Sequence, residues 1–282
     1  MRIGKYNLHT IESGLFALDG GAMFGIIPKP LWEKSNPADE KNRIKLATRN
    51  LLLKSDSKNI LIDTGMGTKW NEKYKEIYWI DQDDYSLEKS LMNINLMPED
   101  ITDVILTHLH FDHTGGSTKT LDGKLMPAFP NAVYHVGKKN FDWASNPSER
   151  DKGSYLKENF HPLKEAGVLC FTNTEKKFDD EIELIEVNGH TFGQQLVKIE
   201  DADNAILFCA DLFPTTTHIS LPYIMGYDLQ PLVTLAEKKK ILNMAAEKDW
   251  KLFFEHDPCI AAAVVERSEK GYKIKEKLIS ID

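Results

Sequence analysis

The sequence predicts an α/β fold in which sheets are covered by helices. Three observations predict it. Apolar runs of strand length recur along the chain, segments of helical periodicity fall between them, and no linker, repeat or low-complexity tract divides the 282 residues. That length is enough to bury a full core, and we expect one domain over 1–282.

Taken in order, residues 5–18 alternate loosely and read as a pair of strands. Residues 19–37 hold Asp19-Gly-Gly-Ala-Met-Phe-Gly25, then Pro28, Pro30 and Pro37, a density of glycine and proline that predicts an extended loop rather than a regular element. Its apolar Met23, Phe24 and Trp32 are expected to line a substrate pocket or tuck against the core. Stretches 46–53 and 59–63 form a strand pair across the polar turn 55–58. Residues 86–96 have helical periodicity, with Ser86 as N-cap and Glu88 in the first turn. Short apolar strands are expected at 103–107 and 131–136, and a helix at 152–166. Strands at 181–187, 195–200 and 205–209 precede a helix at 232–247, whose run Lys238–Lys240 reads as a solvated face, and a last strand at 251–255.

Composition narrows the function. A formal charge of −8 repels phosphate backbones and argues against a nucleic-acid partner. The three cysteines, Cys170, Cys209 and Cys259, are scattered, so neither a disulfide framework nor a thiolate zinc site is expected. Cys170 and Cys209 lie in apolar runs and read as buried hydrophobes. With no signal-like start and no apolar stretch of membrane-spanning length, the expectation is a cytoplasmic protein without a membrane partner.

The chemistry concentrates after the strand Asp103-Val-Ile-Leu-Thr107, which runs into His108-Leu-His-Phe-Asp-His-Thr-Gly-Gly116. Composition alone would produce His-x-His-x-Asp-His roughly once per thousand such chains. Two residues apart on extended backbone, His108 and His110 project to the same side and can share one metal ion. Asp112 and His113 fall on the following turn and aim at a second, adjacent position, while Gly115 and Gly116 let that turn pack closely. Zinc wants about four ligands and a catalytic site leaves one position open. His190, Asp211 and His256 each follow an apolar strand and supply ligand types at a sheet rim. His135, inside a strand, and His9 and His161 read as structural or surface residues.

This five-part pattern resembles the metallo-β-lactamase superfamily over nearly the whole chain. The resemblance implies a four-layer αβ/βα sandwich, two mixed sheets flanked by helices, with metals at one edge. It places His108, His110 and His190 on one ion, Asp112, His113 and His256 on a second, and Asp211 between them. Asp63, in Leu-Ile-Asp-Thr-Gly65, resembles the family's supporting Asp and is expected to hold ligands by hydrogen bonds. The family's diiron oxygen-reducing branch has Glu where this chain has His110, so two divalent ions, zinc before manganese, iron or cobalt, are implied. Asp19–Trp32, Thr107–Gly116 and Ala210–Thr215 further resemble the bacterial YtnP-like group of quorum-quenching lactonases. Well-studied lactonases of this superfamily carry a Tyr three residues after the bridging Asp. Here Pro214 stands there, and His218, Tyr223 or Tyr227 is expected to take over; Gln194 replaces a second His of many relatives.

The implied activity is hydrolysis of a lactone or ester, with N-acyl-homoserine lactones as the small-molecule substrate. Two ions lower the pKa of water toward about 7, and Asp112 passes a proton to the leaving alkoxide. The rivals are organophosphate triester or thioester hydrolysis, and a metal-binding protein without turnover. A monomer or a homodimer fits equally.

Overall fold

Alternating apolar strands shape the architecture of the computed structural model, which describes residues 1–175 and 177–282. The first half comprises β1 (Arg2–Ile3), β2 (Tyr6–Asp19), α1 (Gly20–Phe24), α2 (Lys29–Trp32), β3 (Arg43–Lys54), β4 (Asn59–Ile62), α3 (Glu72–Tyr78), α4 (Leu87–Asn93), β5 (Asp103–Ile105) and the one-turn α5 (Phe111–Thr114). There follow the hairpin β6 (Thr118–Leu121) and β7 (Lys124–Pro127), then β8 (Val133–Gly137), α6 (Lys138–Ser145), α7 (His161–Glu165) and β9 (Leu169–Thr172). The last part comprises β10 (Ile182–Val187), β11 (Gln194–Glu200), β12 (Ala205–Phe208), α8 (Pro231–Glu247), β13 (Lys251–Phe253), β14 (Ala262–Ser268) and β15 (Gly271–Leu278).

Seven strands pair in the order β1-β2-β3-β4-β5-β8-β9, and six in the order β10 to β15. Both sheets are mixed: β4, β5, β8 and β9 run parallel, as do β12 and β13. Because side chains alternate across a strand, each apolar strand of the first sheet serves two cores. Leu51, Leu53, Ile60 and Ile62 join Leu184, Val197 and Phe208 of the second sheet. Leu52, Leu61 and Val104 face the other way, onto Leu91 of α4, Phe141 of α6 and Leu163 of α7. Helix α8 packs on β14 and adds Ile241, Leu242 and Ala245 to the second sheet's core. The order helix, sheet, sheet, helix is the sandwich the sequence predicts.

Several local expectations are corrected. Residues 6–19 form one strand, not two: a bulge between Glu12 and Leu15, with Gly14 at φ +137°, absorbs the break in alternation. The segment 19–37 is not a bare loop but holds α1 and α2, the former capped by Asp19, whose Oδ1 accepts from Ala22 N–H. The expected helix at 152–166 breaks into two single 3₁₀ turns and α7, which starts only where Pro162 fits a first turn. Cys170 is exposed, because β9 is an edge strand. Lys238 is buried rather than solvated, and its ammonium donates to the carbonyls of Ser220 and Tyr223 (2.9 and 2.7 Å). No helix among the described residues is long and apolar enough to cross a membrane.

Candidate metal centre

The site is assembled at the carboxyl ends of strands from both sheets. Asp63 follows β4, His108 to His113 follow β5, His190 follows β10, Asp211 follows β12 and His256 follows β13. The turn after β5 is sharp: His110 caps α5 with extended dihedrals, so Asp112 and His113 swing inward in the next turn. Close packing makes this possible. A Cβ on Gly115 would lie 1.9 Å from the Met66 carbonyl oxygen, and one on Gly116 would lie 2.3 Å from that of Thr64. Backbone strain marks the rim as well: Asp63 and Ala210 adopt positive φ, +57° and +42°.

Two groups of ligand atoms converge. One comprises His108, His110, His190 and Asp211, the other Asp112, His113 and His256, each group within 4.8 Å and made of buried residues. His110 Nδ1 lies 3.0 Å from both His108 Nε2 and His190 Nε2. In the other group His113 Nε2 and His256 Nε2 are 3.2 Å apart. Asp211 stands between the groups, with Oδ2 3.1 Å from His190 Nε2 and Oδ1 3.2 Å from His256 Nε2. Asp112 is 3.9 and 3.8 Å from His113 and His256. Imidazole lone pairs facing one another this closely repel unless a proton or cation lies between them. Among the described residues, Asp211 Oδ1 also lacks a hydrogen bond, as does His110 Nε2 on the far side of its ring. The donor set is nitrogen and oxygen with no thiolate, and it suits two divalent ions of the zinc type.

The outward nitrogens are anchored. His190 Nδ1 lies 2.8 Å from Asp228 Oδ1, and Thr234 donates to the other Asp228 oxygen at 2.8 Å. His113 Nδ1 meets Asp63 Oδ2 at 3.0 Å, and Asp63 also accepts from the Thr107 N–H and hydroxyl (2.7 and 2.6 Å). His256 Nδ1 faces the Ala47 carbonyl at 2.8 Å. Such partners fix ring orientation and raise ligand basicity. Arg49, buried in β3, donates to the carbonyls of Phe254 and Asp257 and so fastens the His256 segment.

Burial and mutual repulsion hold His108 and His110 well below the usual histidine range, as neutral ligands. For His190 burial opposes the charge, but the Asp211 and Asp228 carboxylates outweigh it and carry the ring up to about 10. His113 is likewise raised against its burial by Glu255, Asp211 and Asp112. Burial pushes the Glu255 carboxyl up to about 8. Without cations, protons on His113 and His190 neutralise the carboxylates.

A cavity of about 380 Å³ opens over these residues, with His110, Asp112, His190, Asp211 and His256 on its floor. Leu18, Met23, Leu46, Tyr78 and Phe111 supply apolar lining, and Arg150 and Tyr227 line the cavity as well. Of the expected pocket residues, Met23 reaches the cavity. Phe24 and Trp32 do not; they stack on one another, centroids 5.2 Å apart, in the core behind it. Nor are His218 and Tyr223 brought to the cavity. His218 is buried against Phe24 (4.9 Å, nearly parallel), with Nδ1 2.8 Å from Thr215 Oγ1 and Nε2 2.9 Å from the Met23 carbonyl. Burial pushes its pKa down to about 3, so it is a neutral strut beneath α1. Tyr223 packs edge-on to Phe24.

Sequence reasoning missed Asp228, Arg150, Tyr155 and Glu255. Tyr155 lies 4.7 Å from the His110 ring, with its hydroxyl 2.6 Å from Thr191 Oγ1. Three of these sit in irregular segments with no periodicity to mark them. Glu255 alone carried a signal, a carboxylate at the end of an apolar strand directly before a ligand-type His.

Known proteins resemble this chain in sequence and in fold. The sequence profile of the metallo-β-lactamase superfamily matches residues 46–256. The N-acyl homoserine lactonase AttM of Rhizobium radiobacter is 25% identical over 193 residues, 65% of this chain and 68% of its own length. The crystal structure of a probable metal-dependent hydrolase from Staphylococcus aureus is 30% identical, with a TM-score of 0.89 over 100% of this chain and 99% of that one. AidC, a dizinc quorum-quenching lactonase solved with an N-acyl-homoserine product, shares the fold at 22% identity, with a TM-score of 0.81 over 97% of this chain and 95% of that one.

Proposed function

Because the chain belongs to the metallo-β-lactamase superfamily, we propose that it is a binuclear zinc hydrolase that opens the ester bond of N-acyl-homoserine lactones. The observation that carries this reading is the convergence of seven side chains into two ligand groups around Asp211, on the floor of a half-apolar cavity. AttM, at 25% identity, supports the substrate class, and the motifs 19–32 and 210–215 support the YtnP-like grouping.

When bound, the two ions supply a water ionised near neutral pH and positive charge for the developing oxyanion. The chain's own residues do the rest. Asp112, on the cavity floor beside His113 and His256, accepts a proton and returns it to the leaving alkoxide. Asp228, Asp63 and the Ala47 carbonyl orient His190, His113 and His256. The wall of Leu18, Met23, Leu46 and Phe111 takes the acyl chain and excludes water from it. Of His218, Tyr223 and Tyr227, Tyr227 alone lines the cavity, which Tyr78 lines as well, and we assign Tyr227 the role of carbonyl donor. Burial and the nearby Asp19 and Asp112 raise its pKa, so it remains a neutral donor. We read the protein as cytoplasmic, a monomer or homodimer acting on a small molecule.

Zinc-loaded protein incubated with N-hexanoyl-homoserine lactone tests the reading, by acid release and chromatography of the ring-opened product. Ring opening without cleavage of paraoxon is expected. Cleavage of paraoxon alone would select triester hydrolysis, and metal binding without turnover of any lactone or ester would leave a non-enzymatic metal protein.

A further inference from the structure

Glu255 has no evident reason to be where it is in the metal-free fold. It is fully buried, between Phe254 and His256 at the end of β13. Its Oε2 lies 2.9 Å from His113 Nδ1, yet Asp63 Oδ2 lies 3.0 Å from the same nitrogen, which carries at most one hydrogen. Asp63 has two further donors in Thr107, whereas neither Glu255 oxygen accepts a hydrogen bond among the described residues. Two carboxylates thus face one N–H, and only one of them is served. A buried acid without donors opposes folding; an apolar residue of the same length would fill the space without that penalty, and a glutamine without the cost of burying a charge. A carboxylate in such a place makes sense when positive charge is held close by, where low dielectric strengthens the attraction.

We propose that Glu255 is a positioning residue for the His113 side of the metal centre. With Asp63 it brackets His113 Nδ1, so that Nε2 faces Asp112 and His256. The proposal rests on the assignment of His113 as a ligand. Asp63, His113 and Glu255 also converge within 4.8 Å of one another. A third ion there would have to strip Nδ1 of its proton while Nε2 holds another cation, so we read the trio as a clamp rather than a site.

The clamp predicts effects of opposite sign, which a merely structural residue would not give. Glu255→Gln and Glu255→Met are compared with the wild type by melting of the metal-free proteins, chelator competition with zinc, and elemental analysis. Metal-free Glu255→Gln should melt at or above the wild type, while one of its two zinc equivalents binds about 10- to 100-fold more weakly and the other is unchanged. Glu255→Met should lose at least as much zinc affinity. A Glu255→Gln protein that fails to fold, or melts lower with wild-type affinity for both ions, overturns the proposal. So does a third zinc equivalent in the wild type that the variants lack. If the wild type holds two equivalents and the variants match it, only the role of Glu255 fails; if the wild type holds none, the metal centre itself fails.

Discussion

Asp228 offers the sharpest single perturbation of the ligand sphere, because it touches only one ligand and lies outside the cavity lining. Its Oδ1 is 2.8 Å from His190 Nδ1, its Oδ2 accepts from Thr234, and it is 3% exposed. Replacing it with Ala strips the one partner among the described residues that meets His190 Nδ1 and so fixes the tautomer and tilt of the ring. It also leaves the ring N–H unpaired and takes from the Thr234 hydroxyl its best acceptor. Loss of an outer partner of a ligating His typically weakens metal affinity 10- to 100-fold, about 1.4–2.8 kcal/mol. Desolvation of the unpaired donors should lower the stability of the fold by about 1–3 kcal/mol more. Asp228→Asn keeps an acceptor oxygen without its charge and should fall between wild type and Asp228→Ala. Zinc competition with a chromophoric chelator, run beside thermal melts, reads both effects. Zinc affinity of Asp228→Ala within about twofold of the wild type would refute the claim that second partners set ligand geometry here.

Other perturbations follow from the same geometry. His110→Ala should abolish turnover and remove bound metal, because His110 Nδ1 is shared between His108 and His190; full activity in that variant contradicts the ligand set. Gly115→Ala would place a methyl 1.9 Å from the Met66 carbonyl oxygen, and it should cost at least about 2 kcal/mol, read as a fall in Tm of several degrees. His190 is carried up to about 10 in the metal-free protein, so zinc must displace its proton; affinity should rise with pH between about 6 and 8, up to tenfold per unit for each proton released, measured by chelator competition. Metal-free protein should show the opposite slope, since the raised His190 pKa supports the fold below about 6.5 and that support is lost as pH climbs toward about 10. Arg150 and Gly226 both line the cavity, and the Arg150 guanidinium donates to the Gly226 carbonyl at 2.5 Å; Arg150→Ala should raise KM more than it lowers kcat for acyl-homoserine lactones, and an unchanged KM would remove Arg150 from substrate contact.

The sequence made the metal-facing part of this protein legible because ligand chemistry is local and rare. His-x-His-x-Asp-His after an apolar strand, and single His or Asp residues at later strand ends, are visible without knowing how the strands pair. What surrounds the ligands was harder to read, since it depends on long-range contact. Asp228 reaches His190 from 38 residues away, and nothing in its own neighbourhood marks it. Residues 5–18 read as two strands because a glycine at a bulge interrupts the alternation as a turn would. Lys238 looked solvated within a lysine run, yet the helix faces it inward, onto the loop carbonyls of Ser220 and Tyr223. Phe24 and Trp32 looked like pocket residues because apolar side chains on a glycine-rich segment suit either place. His218, stacked on Phe24 and bonded to the Met23 carbonyl, shows that this segment is anchored inward. The strands β14 and β15 went unread, since β14 offers only the short apolar run 262–265 before charged residues, and β15 carries its lysines and glutamate on a largely exposed strand.

Zinc-edge anomalous diffraction from crystals of the metal-loaded protein tests the central claim most directly. Two peaks are predicted, one among His108, His110, His190 and Asp211, the other among Asp112, His113, His256 and the same Asp211. A single peak, or metal bound away from Asp211, would contradict the account.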